Sequence, residues 1–94
     1  MILNHEKILE KYIESSRKVL SDNDLKGVWH YYNHDEYEMS FEGLIIELTQ
    51  TNKYPDDFIF KDWEKLALYY KLNTDSVFDM YIWDKFINWG RTKQ

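Results

Sequence analysis

Apolar residues recur along this chain at helical rather than strand spacing. Ile8, Leu9, Tyr12, Ile13, Val19 and Leu20 fall on one stripe, and Lys7, Glu10, Lys11, Glu14 and Lys18 fill the other faces. That spacing predicts a first amphipathic helix. Ser21-Asp22-Asn23-Asp24 reads as a turn ending in an N-cap for the next helix. Leu25, Val28, Trp29 and Tyr32 follow at i, i+3, i+4 and i+7, a short second helix that either is interrupted at Asn33-His34 or runs on into the next.

Tyr37, Phe41, Leu44, Ile45 and Leu48 make the apolar face of a third helix. Strict alternation does not fit, because Phe41 and Leu44 would then lie on opposite faces of a strand. Only Leu44-Ile45-Ile46 could read as strand. Gly43 inside this helix costs about 1 kcal/mol against Ala and would permit a close approach. Thr49 to Asp57 is the clearest loop, with Asp56 or Asp57 placed to cap the next helix. Ile59, Trp63, Leu66, Ala67 and Tyr70 predict that fourth helix. Asn73-Thr74-Asp75-Ser76 ends it, and Ser76 with Asp79 has capping-box spacing for a fifth. Phe78, Ile82, Phe86 and Trp89 form the buried stripe of the fifth helix, Gly90 its C′ residue, and Arg91 and Lys93 a basic tail.

These elements predict an all-α fold, a compact bundle of four to five short helices forming one domain over residues 1–94. Ninety-four residues can close a single hydrophobic core. Four Trp, eight Tyr and five Phe exceed what that core needs, so some should line the surface, where aromatics anchor partners. The same surplus could equally pack a homodimer. Absence of cysteine excludes disulfides and a thiol nucleophile. The N-terminus has no signal-peptide pattern, and no apolar run reaches the roughly 20 residues that span a bilayer. The expected address is the cytoplasm.

Charge sharpens the picture. The formal net charge is −5, and the segment from Gly27 to Asn52 carries Asp35, Glu36, Glu38, Glu42 and Glu47 without a lysine or arginine. Outside it, acids and bases balance. An acidic chain disfavours direct nucleic-acid or anionic-membrane binding. On a helix Asp35, Glu38 and Glu42 share one side, with Glu36 and Glu47 on another. The macrodipole favours Asp35, Glu36 and Glu38 near a helix N-terminus, but not Glu42 and Glu47. One reading is an ordinary solvated face. The other is an acidic epitope for a basic protein, with Tyr31 and Tyr37 as aromatic anchors.

Catalytic constellations are missing. No phosphate loop, dinucleotide fingerprint or nucleophile–base pattern occurs, so an enzyme is not expected. His30 and His34 stand at i, i+4 with Glu38 a turn further, but the zinc-protease pattern fails because residue 31 is Tyr, and no fourth ligand suggests itself. Neither metal nor cofactor is expected.

The stretch Trp29-His30-Tyr31-Tyr32-Asn33-His34-Asp35-Glu36-Tyr37-Glu38-Met39-Ser40-Phe41-Glu42-Gly43-Leu44 resembles a pattern in small acidic immunity proteins. These accompany bacterial toxins of the bacteriocin and contact-dependent growth-inhibition type. The recurring part is an aromatic-rich helix, then Glu-x-Glu, a hydrophobic and a small residue, and Phe-Glu-x-Leu, here Glu36, Glu38, Met39, Ser40, Phe41, Glu42 and Leu44. The resemblance implies a non-catalytic toxin inhibitor that binds a cognate toxin, commonly a basic nuclease. Tyr31, Asp35, Glu36, Tyr37, Glu38 and Glu42 would then form the partner-binding set. A small acidic regulatory adaptor or nucleic-acid mimic acting on a host protein is the alternative.

Overall fold

Polar side chains start two of the helices, and residues in the left-handed conformation end three. The computed structural model describes residues 4–93. They form α1 (His5–Ser15), α2 (Asp22–Asn33), α3 (Tyr37–Thr51), α4 (Phe60–Tyr69) and α5 (Ile82–Lys93), with a 3-10 turn at Ser16–Lys18 after α1. No strand occurs among the described residues, and Leu44-Ile45-Ile46 lies within α3. The fold is an all-α compact bundle.

Asn4 caps α1 by accepting the Lys7 N–H. Ser21 caps α2, and Asp24 answers it in a reciprocal box: Ser21 Oγ accepts the Asp24 N–H, and Asp24 accepts the Ser21 N–H. The three left-handed residues are Asp35, Asn52 and Lys71, with φ of 59°, 53° and 59°. Each closes a helix in the same way. Past α2 the Glu36 N–H reaches the Tyr31 carbonyl and the Asp35 N–H that of Tyr32; Lys53 and Asn52 repeat this on α3, and Leu72 and Lys71 on α4. This is the Schellman closure, usually built on glycine.

The core gathers Leu9 and Ile13 from α1, Leu25 and Val28 from α2, and Phe41, Leu44, Ile45 and Leu48 from α3. From α4 and α5 come Trp63, Leu66, Ala67, Ile82, Phe86 and Trp89. Helices α2 and α3 form a tight hairpin. The buried Ser40 hydroxyl donates to the Val28 carbonyl at 2.8 Å, which satisfies a polar group at their contact. A Cβ on Gly43 would meet Val28 Cγ2 at 3.6 Å, an ordinary contact, so the helices do not require glycine there. On the opposite side Tyr54 stacks on Trp89 at 4.8 Å and donates to its carbonyl, and Trp89 Nε1 donates to the Lys53 carbonyl. These contacts pin the connection between α3 and α4 to α5.

Several expectations need correction: Val19 and Leu20 lie beyond the end of α1, and residues 49–51 belong to α3 rather than to the loop. Asp56 and Asp57 do not cap α4. Asp56 accepts from Lys18, and α4 begins after Ile59 without a side-chain cap. Ile59 itself is exposed, and Phe60 takes the buried position. The fifth helix starts at Ile82 rather than at Ser76, so Phe78 is exposed instead of joining its stripe. Gly90 lies inside α5, not beyond it, and a Cβ there would come within 2.3 Å of Phe60 Cδ1. Glycine is required at this position by the buried ring.

Candidate functional site

The α2–α3 corner carries the acidic residues, and its shape follows from the closure of α2. Asp35 occupies the left-handed position and is exposed, as are Glu36 and Glu38 on the following turn. None of the three takes part in an ion pair among the described residues. Asp35 instead accepts the Tyr37 hydroxyl at 2.9 Å. That hydrogen bond is the leading reason why the Tyr37 phenol is pushed up to about 12. Tyr37 is half-buried and packs edge-on to Tyr32 at 5.3 Å, so it contributes a rim rather than a free anchor. His30 on α2 and His34 just past its end are neighbours, and His34 Nδ1 lies 2.7 Å from the His30 carbonyl. Among the described residues no three His, Cys, Asp or Glu side chains gather as a metal-binding set.

Glu42 departs from the expected acidic stripe. It is only 1% exposed. Its carboxylate accepts backbone N–H groups from Val77 at 2.7 Å and from Phe78 and Asp79 at 2.9 Å each. One α3 side chain thus satisfies three consecutive main-chain donors of a distant loop, an arrangement that suits an anion held away from water. A residue so enclosed cannot meet a partner's cation. Glu47, on the other flank, is half-buried, and its carboxyl is raised by burial and then by Asp24.

Residues 76–81, held by Glu42, display what sequence reasoning missed. Phe78 is 47% exposed, Val77 53%, Tyr81 61% and Met80 79%. Asp79 faces back into the loop, accepting the Tyr81 N–H and the Lys85 ammonium. Lys85 first and the Tyr81 N–H second hold its carboxyl below the usual carboxylate range. A lowered carboxyl contributes stability above its ordinary pKa, lost as pH falls through the lowered one. Tyr31, half-buried on α2, packs against Phe78 with ring centroids 5.5 Å apart. It therefore joins the acidic corner to the apolar loop. Glu38 and Val77 line one cavity, which ties the two surfaces a second time.

The structure brings together Tyr31, Asp35, Glu36, Tyr37 and Glu38 at one corner, and converts Glu42 from contact to support. The signal that could have found the loop was an apolar tetrad, Val77, Phe78, Met80 and Tyr81, too dense for one helix face. Chemically the surface offers exposed carboxylates, without an ion pair among the described residues, beside exposed apolar side chains. No family model, curated protein or solved structure matches the chain.

Proposed function

We propose that this protein is a non-catalytic binding module that neutralises a basic partner protein. The reading we favour is an immunity protein acting in the cytoplasm on a cognate toxin domain, a nuclease being the expected class. One observation carries it: a buried carboxylate holds an outward-facing apolar loop beside carboxylates that form no ion pair among the described residues. Specific interfaces combine a desolvated apolar centre with a charged rim, and the rim raises the encounter rate with an oppositely charged protein. Val77, Phe78, Met80 and Tyr81 supply the centre here, with Tyr31 at its edge. Asp35, Glu36 and Glu38 supply the rim.

Co-expression tests this reading. Cells making the product of a toxin-like reading frame adjacent to this gene should survive when this protein is present. Binding of the two purified proteins should weaken at least tenfold in Glu36→Lys/Glu38→Lys, with far-UV circular dichroism unchanged, because both side chains are exposed. Rescue and affinity that survive this reversal at low and physiological salt would refute the acidic rim. Glu42→Lys is no substitute, since it would place an ammonium against three N–H groups.

A further inference from the structure

The cavity beside the clamped loop has walls of a particular chemistry. It measures about 540 Å³ and is lined by Glu38, Tyr69, Tyr70, Lys71, Asp75 and Val77. Glu38 and Asp75 are exposed carboxylates, and neither forms an ion pair among the described residues, although Lys71 lines the same cavity. The Schellman closure of α4 fixes the turn that carries Asp75: Lys71 is left-handed, and its carbonyl accepts the Thr74 and Asp75 N–H groups. Tyr69 is half-exposed, with His5 stacked on its ring at 3.4 Å and Tyr70 edge-on at 5.1 Å.

Tyr70 adds an independent observation. It is 6% exposed, and its hydroxyl is buried without a hydrogen-bond partner. Burial raises its phenol, and Tyr69, Glu6 and Glu38 add to the effect in that order. A buried hydroxyl left unpaired is destabilising, a deficit that an incoming donor relieves.

We infer that this cavity accepts an arginine side chain of the partner, a reading that rests on the basic-partner function proposed above. A guanidinium presents five N–H donors in a plane, suiting two carboxylates and a phenol oxygen together, and it stacks on an aromatic ring. Lysine offers a compact charge with no planar face, so it meets fewer of these groups. Lys71, on the same wall, opposes an incoming cation, so removing its charge should strengthen binding.

The test needs no toxin. The ¹⁵N-labelled full chain is titrated with acetyl-Gly-Arg-Gly-amide and with the lysine and citrulline versions of that peptide, and amide shifts are followed. The arginine peptide should give saturable shifts at Lys71, Asp75 and Val77 with a Kd on the order of millimolar. Glu38→Gln/Asp75→Asn should weaken it at least tenfold, and Lys71→Gln should tighten it about threefold. Tyr70→Phe removes only the unpaired oxygen, so the fold should persist while arginine affinity falls severalfold. Equal binding of the lysine or citrulline peptide, shifts spread over the acidic surface, or unaltered affinity in Tyr70→Phe would each overturn the assignment. Arginine binding without toxin rescue would sink the function and leave the cavity's chemistry standing. Rescue without arginine binding would do the reverse.

Discussion

Two segments of this chain share the pattern Ser-x-x-Asp and come to different ends. Ser21-Asp22-Asn23-Asp24 closes a reciprocal capping box and starts α2. Ser76-Val77-Phe78-Asp79 starts nothing; α5 begins three residues beyond Asp79. The donors that a box at Ser76 would leave to local acceptors are those of Val77, Phe78 and Asp79, and Glu42 takes all three from another helix. Asp79 is turned to Tyr81 and Lys85 instead. A carboxylate accepting several N–H bonds outcompetes a neutral hydroxyl, since charge-assisted bonds are roughly twice as strong. The same local motif is thus overruled where a buried anion stands opposite it.

Substitutions along both segments can break this contrast. Glu42→Ala should have the largest effect, because it leaves three donors without an acceptor and opens a void. We expect a loss of about 2–4 kcal/mol in urea unfolding, moderated by water reaching the loop once it lifts. Ser21→Ala should come next, costing about 1 kcal/mol as a lost N-cap, read from the same midpoint shift. Ser76→Ala should be smallest, below about 0.5 kcal/mol, because Ser76 caps no helix. Should Ser76→Ala match Ser21→Ala, the local box operates in both places and the long-range clamp is secondary. A Glu42→Ala protein as stable as wild type would remove the clamp altogether.

The contrast also explains what was legible in the sequence. Helical stripes placed the body of every helix, because burial of a 3.6-residue periodic face depends on nearby positions. Ends were harder to read. Asp35, Asn52 and Lys71 take the left-handed positions where glycine is the usual signal, while Gly27, Gly43 and Gly90 all lie within helices. Gly90 marks a meeting with Phe60, thirty residues away, rather than a terminus. Phe78 and Glu42 exchanged their expected environments for a related reason. Periodicity assigns an apolar residue inward and an acid outward, but a contact across about 35 residues reversed both. The candidate site was therefore half visible: Tyr31, Asp35, Glu36, Tyr37 and Glu38 as a local corner, with the loop beside them hidden.

Glu42 grips main-chain N–H groups, which every residue except proline possesses. The side chains of Val77 and Phe78 take no part in that grip, although the Phe78 ring rests against Tyr31, and Met80 and Tyr81 are exposed as well. A scaffold of this kind can exchange its recognition residues without rebuilding its frame. Variants at positions 77, 78, 80 and 81 would form a family of equally folded proteins with different partners, and proline at 77, 78 or 79 is the one replacement the grip itself forbids.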